Sequence, residues 1–380
     1  MKIVIAPDSF KESLSALEVS KCIETGFRHI FPEAEYHLLP LADGGEGTVD
    51  VLLHSLQGEV KRCLVTDPIG TPIQATWAVL DGGQTALIEI AAASGLDKVE
   101  VGNRNPTKST CFGTGELIKA ALDSGVTKIM LGLGGSASND GGAGILEALG
   151  GKLVDANGDV IGRGGEALLN LNRIDLSGLH PRCRDVEFVV ACDVSNPLCG
   201  EHGASAVFGP QKGATSEQVI MLDHALSTMA QVAAEHLDKN HSETPGFGAA
   251  GGAALGLSLA FNIELISGID MVLDAVKVDS LLEDCHLLLT GEGKIDNQTL
   301  QGKTPYGIAS RAKARNIPVI AVSGSVGRDV DNLYQYMDCL FGTVRSPAPL
   351  SQVLEEAQAN VTNVSRNIAS TLKLGQQLKS

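Results

Sequence analysis

The sequence predicts an α/β fold: a Rossmann-like domain assembled from both chain ends and split by an inserted second α/β domain. Three observations predict it. Short apolar strands alternate with helical patterns at both ends of the chain, as a parallel sheet requires. Near residue 59 the texture changes to alternating segments separated by hairpin turns, and parallel character returns near residue 285. A length of 380 residues has room for two or three domains at roughly 100–200 residues each. The expected division is 1–59 with 281–380 for the first domain, and 60–280 for the inserted one.

The elements follow in order. Residues 2–6 (KIVIA) read as a buried strand with Pro7-Asp8-Ser9 past its end. Residues 15–31 read as a helix, with Ser15 and Glu18 as a capping box and Val19, Cys22, Ile23, Phe27 and Ile30 at helical spacing. A second strand covers 36–41 and ends at Ala42-Asp43-Gly44-Gly45, and a helix starts over 48–56. Segments 59–66, 73–80 and 85–91 alternate around Asp67-Pro68-Ile69-Gly70 and Asp81-Gly82-Gly83, which are hairpin signals. A helix at 114–124 and a strand at 127–133 lead into the glycine-rich stretch 134–142 and a short helix. Residues 151–161 read as a hairpin around Asn157-Gly158. A strand at 186–192 ends at Asp193, and the loop 209–213 precedes a helix at 216–236. Strands at 285–290, 317–323 and 338–343 alternate with helices at 305–314 and 350–374.

Composition excludes several classes. With 29 Lys plus Arg against 45 Asp plus Glu the formal charge is −16, which argues against nucleic-acid binding. Eight scattered cysteines with no C-x-x-C read as reduced thiols of a cytoplasmic protein. The start MKIVIAPDSF has no signal-peptide h-region. Residues 244–263 are twenty residues without a charge, and Gly248, Gly252 and Gly256 form a G-x-x-x-G series. A buried helix behind a glycine-rich loop is the better reading than a membrane span. The sequence leaves the oligomeric state open, a homo-oligomer included.

Glycine, at 44 residues against about 27 at the average usage of roughly 7%, marks the chemistry. Asp8, Asp43, Asp193, Glu292 and Asp296 all lie just past strand C-termini, the edge at which open α/β sheets bind ligands. The strand-to-helix turn Gly134–Gly142 offers backbone N–H groups that can cradle a phosphate. Lys11 and Lys212 sit in loops at element ends, where a cation can neutralise phosphate charge; Arg104 and Arg163 have weaker cases. Gly246-Phe247-Gly248-Ala249-Ala250-Gly251 matches a dinucleotide fingerprint but lacks the preceding strand, and Gly302-Lys303-Thr304 lacks the first glycine of a P-loop, Asn297 standing there instead. No G-x-S-x-G elbow supports a serine hydrolase.

Eight motifs then carry a resemblance: PDSFKESLSA (7–16), ADGGEGT (42–48), GTGELI (113–118), GGSASNDGGAG (134–144), ACDVSNPL (191–198), FGPQKGA (208–214), PGFGAAGG (245–252) and GEGKIDNQT (291–299). In this order, across the whole chain, they resemble the bacterial type 1 glycerate kinase family. The resemblance implies ATP and Mg2+ dependence, with (R)-glycerate phosphorylated at its 2-hydroxyl to give 2-phosphoglycerate. It also implies an active site between the two domains. Assigning roles by chemistry, Asp193 or Asp43 takes or orients the hydroxyl proton. Lys11 joins them in the chemistry. Gly134, Gly135, Ser136, Ser138 and Lys212 hold ATP phosphates, Asp8, Ser9, Gly44 and Gly45 hold the acid, and Glu292 and Asp296 are candidates for Mg2+. A sensor that binds a sugar acid, or a kinase for another small hydroxy acid, are the alternatives that turnover decides.

Overall fold

A computed structural model of the chain describes residues 1–42, 48, 52, 53, 56, 58–237 and 240–379. The chain divides into two compact units, Met1–Leu56 with Gly268–Ser380, and Gln57–Ser267. The first unit opens with strands β1 (Lys2–Ile5) and β2 (Glu35–Leu38). The second holds β3 (Glu59–Thr66), β4 (Pro72–Leu80), β5 (Thr85–Glu89), β6 (Lys128–Gly132), β7 (Lys152–Val154), β8 (Arg173–Asp175), β9 (Glu187–Ala191) and β10 (Ile263–Ile266). The first unit closes with β11 (Leu287–Thr290), β12 (Lys294–Ile295), β13 (Val319–Ser323), β14 (Ser325–Val326) and β15 (Cys339–Gly342).

In the first unit β15, β13, β11, β1 and β2 form one sheet in that order, parallel throughout. Counted within the unit this is the doubly wound order 2-1-3-4-5, whose winding reverses between β1 and β11. The strand KIVI is central, so Ile3, Val4 and Ile5 are all buried, which explains an apolar run without alternation. The helix Ala16–Arg28 carries the expected capping box of Ser15 and Glu18. It packs closely on the C-terminal helix Ala357–Lys379: a Cβ on Gly26 would stand 2.5 Å from Thr362 O. Phe27, Ile23 and Val19 from this helix share a core with Val361 and Ile368.

In the second unit the order is β10-β9-β6-β5-β4-β3. β10, β9, β6 and β5 are parallel, and β4 and β3 extend the sheet as antiparallel hairpins. The change of texture at residue 59 is therefore this antiparallel edge. One large core, including Phe188, Leu131, Ile88, Leu226 and Leu257, fills the unit.

Several expectations shift. β2 stops at Leu38 because Pro7, just past the end of β1, has no N–H to donate to Leu39 O; Leu39 and Leu41 still donate to Ile5 O and Pro7 O at 2.8 and 3.0 Å. The turn at 155–159 closes, with Asp155 N donating to Asp159 O at 2.9 Å, but the regular partner of β7 is β8 and Val160 makes only an isolated bridge to Val154. The C-terminal helix is broken at Glu356 into Leu350–Glu355 and Ala357–Lys379. The expected helix at 48–56 lies largely outside the described residues.

The uncharged segment 244–263 is a loop followed by the buried helix Ala253–Ala260. Its glycines serve backbone contact: Cβ atoms on Gly248 and Gly256 would stand 2.3 Å from Pro197 O and from Gly142 O. Among the described residues no helix is long and apolar enough to cross a membrane.

Candidate active site

Two groups of predicted residues gather, one within each unit. In the first unit the reversal between β1 and β11 brings Asp8 beside Gly291-Glu292. Asp8 N donates to Gly291 O at 2.8 Å. A Cβ on Gly291 would stand 1.8 Å from Val322 O, so glycine alone lets this strand end lie against β13. Thr290 Oγ1 ties the two strand ends by donating to Ala6 O at 2.8 Å.

The Asp8 carboxylate accepts from Ser9 N at 2.6 Å and from Thr304 Oγ1 at 2.7 Å. Thr304 opens the helix Thr304–Lys313, whose dipole favours an anion there. Glu292 is buried and accepts from Thr299 Oγ1 at 2.6 Å. Lys303 Nζ stands 3.4 Å from its other oxygen. Burial holds its carboxyl above the usual range; Thr299 and Lys303 oppose this, and the charge of Asp8 adds to it. The Gly302-Lys303-Thr304 sequence thus serves two carboxylates.

Asp296 is committed differently. It accepts from Gln298 N at 2.9 Å as the cap of Asn297–Leu300 and pairs with Lys294 at 2.9 Å; the hydrogen bond from Lys294 holds its carboxyl low. Lys11 is exposed, and its backbone N would lie 3.5 Å from a Cβ on Gly293. Asp43, Gly44 and Gly45 lie outside the described residues.

In the second unit the turn after β6 is stitched to neighbouring chain. Leu96 N donates to Gly135 O at 2.8 Å and Ala137 N to Ser94 O at 2.9 Å. Gly134 and Gly135 are exposed, whereas Ser136, Ser138, Asn139 and Asp140 are buried. Lys212, from the turn Pro210–Lys212, enters this loop as a buried side chain. Its Nζ donates to Ser136 Oγ at 3.0 Å and to Ser138 O at 2.7 Å. Burial lowers the Lys212 ammonium to about 8, against the pull of the Asp140 charge. The helix that follows, Ala143–Ala148, is too short for its dipole to carry the site; the positive charge comes from Lys212. Asp193 is exposed just past β9, and β9 is the sheet neighbour of β6.

Asp140 escapes sequence reasoning, because Asp among glycines reads as a turn former. Its buried carboxylate accepts from Cys111 N at 2.9 Å and from Thr110 Oγ1 at 3.1 Å, and Cys111 Sγ lies 3.0 Å away. It thereby fastens the loop to the start of the helix Phe112–Asp123. The signal available was its place in a loop otherwise made of small residues. Gly251 closes the far side: a Cβ there would stand 2.2 Å from Ser138 O. This explains the apparent dinucleotide fingerprint as packing. Among the described residues no group of three or more His, Cys, Asp or Glu stands ready for a metal ion.

Known proteins match this chain along its length. A family model described as the glycerate kinase family matches residues 3–373. The chain is 50% identical over 379 residues to a glycerate kinase of Bacillus subtilis strain 168, covering 100% of this chain and 99% of that one. It is 50% identical over 376 residues to the glycerate 2-kinase of Escherichia coli strain K12, covering 99% of both. A crystal structure from Salmonella typhimurium LT2, provisionally described as glycerate kinase 2, superposes with a TM-score of 0.88 at 48% identity over all of both chains. The eight ordered motifs thus sit in a chain matched from end to end, which belongs to the glycerate kinase family.

Proposed function

We propose that the protein transfers the γ-phosphoryl group of ATP to the 2-hydroxyl of (R)-glycerate, giving 2-phosphoglycerate and ADP. The observation that carries the phosphate half is Lys212, buried in a glycine-rich turn and held on Ser136 and Ser138. The acid and the hydroxyl come from likeness to the glycerate 2-kinase of Escherichia coli.

Phosphoryl transfer is largely positioning and charge neutralisation. Gly134, Gly135, Ser136 and Ser138 cradle the phosphates in this proposal, and Lys212 offsets negative charge on the moving group. Asp193, exposed beside the end of β6, accepts or orients the hydroxyl proton, with Asp43 as its alternative; Lys11 is the second cation. Asp8 and Ser9 belong to the acid-binding set with Gly44 and Gly45.

Mg2+ belongs to the proposal as the ion that neutralises and orients the nucleotide phosphates, since it needs only one or two protein carboxylates beside phosphate and water. Glu292 fits it. A buried carboxylate whose charge is disfavoured by desolvation, with Asp8 adding repulsion, gains from a cation. Asp296 fits only by giving up Lys294. The compartment proposed is the cytoplasm, where all eight cysteines, free in this structure, stay reduced.

The test is 31P NMR of the protein with (R)-glycerate, ATP and Mg2+. A 2-phosphoglycerate resonance that grows as ATP falls is the expected result. A 3-phosphoglycerate resonance overturns the regiochemistry, and unchanged ATP with every small hydroxy acid overturns the kinase.

A further inference from the structure

One cation of the second unit has no role in the account above. Arg104 follows the short turn Val101–Asn103. The residue is half-buried; its Nε is fully covered and has no hydrogen-bond partner among the described residues, and none of the ion pairs formed among them includes it. Burying a cationic donor without an acceptor is unfavourable, and such groups in folded proteins call for a specific partner.

The surroundings say where that partner would come from. Arg104 lies against the turn that delivers Lys212: a Cβ on Gly213 would stand 2.7 Å from Arg104 O and 3.0 Å from Arg104 Cβ. Downstream of Arg104 the same stretch is fastened to the glycine-rich loop by Asp140, through Thr110 and Cys111. Two more buried polar atoms of that loop, Ser138 Oγ and Asn139 Oδ1, also lack partners among the described residues. An arginine, a lysine and loop side chains with unused hydrogen-bonding capacity therefore belong to three stitched segments of one unit.

We infer that Arg104 is a substrate-binding residue that grips an anionic oxygen alongside Lys212. The oxygen belongs either to a nucleotide phosphate or to the carboxylate of the acid. The inference rests on the kinase reading only for the identity of the anion. A planar guanidinium suits both, since it donates two parallel hydrogen bonds to phosphate or carboxylate.

The experiment is calorimetric titration of the wild type, Arg104→Met and Arg104→Lys with pyrophosphate, ADP and (R)-glycerate, beside a melting curve of each ligand-free protein. Arg104→Met is expected to weaken at least one class of ligand tenfold or more, and Arg104→Lys to recover part of the loss. Loss confined to pyrophosphate and ADP identifies the phosphate as the source; loss confined to glycerate identifies the carboxylate. The ligand-free Tm of Arg104→Met is expected to equal or exceed that of the wild type, because the variant removes an unpartnered buried donor; a structural arginine would lower it.

Binding of all three ligands within twofold of the wild type overturns the inference, as does a loss of binding accompanied by a lowered Tm. Turnover separates the two proposals. An unaffected Arg104→Met in a protein that makes 2-phosphoglycerate sinks only the role of Arg104. Lost anion binding in a protein that does not turn over glycerate sinks only the kinase.

Discussion

Lys212 couples activity and stability to pH with opposite signs. Its ammonium titrates at about 8 in the folded chain, against roughly 10.4 unfolded. Between those values the unfolded state binds more protons, so folded stability rises with pH across that window. Below pH 8 the cost of the buried charge is fully present. Urea denaturation from pH 8 to 10 should show the wild type gaining on Lys212→Met, by up to about 3 kcal/mol for a shift of this size. Activity moves the other way: kcat/KM for ATP should fall above about pH 8 as the free enzyme loses the cation. The limb in kcat should lie higher, because a bound phosphate favours the charged lysine. Lys212→Met should lower kcat on the order of 10²–10³-fold, as removal of a preorganised charge-stabilising donor does. Lys212 was open to sequence reasoning as a candidate because a lysine between Pro210 and Gly213 sits in a loop at a helix start. The burial of Asp140 and the unpartnered Nε of Arg104 were not, since both arise from segments dozens of residues apart.

The elements that sequence patterning captured are those whose own residues decide them. β1 is an uninterrupted apolar run, and the helix Ala16–Arg28 announces itself by cap and period. The elements it missed are decided elsewhere. Ile90–Ser94 and Ala204–Phe208 are five residues each, too short for a period to show. β10 begins at the last residue of the uncharged segment, which reads as a glycine-rich loop and a buried helix, and it becomes a strand only by pairing with β9. Glycine makes the same point energetically. A Cβ on Gly256 would meet Gly142 O at 2.3 Å, whereas one on Gly375 would meet nothing within 4 Å. Both sit in helices. Gly256→Ala should cost about 1–3 kcal/mol by overpacking and Gly375→Ala should stabilise by about 0.5 kcal/mol through helix propensity, as read from denaturation midpoints. Equal effects at the two sites would mean that the backbone at Gly142 yields freely.

The molecule as a whole carries a formal charge of −16, while the proposed substrates are anions. The long-range field therefore opposes encounter, and in the proposed reaction attraction is left to cations such as the buried Lys212 at short range. Salt screens the far field over a Debye length of about 8 Å at 0.15 M and leaves desolvated contacts largely intact. Steady-state kinetics should therefore show kcat/KM rising as ionic strength goes from about 0.01 to 0.15 M; a fall would mean that local positive charge governs approach. The order of the chain has a consequence for synthesis. β1 lies between β2 and β11, and Thr290 must reach Ala6 across 284 residues. At roughly 5–20 residues per second, the ribosome holds the first strand for tens of seconds before its other neighbour exists. The inserted unit is finished in that interval. The nascent N-terminus thus leaves the tunnel as an apolar strand in need of protection, and the first unit is the last to fold.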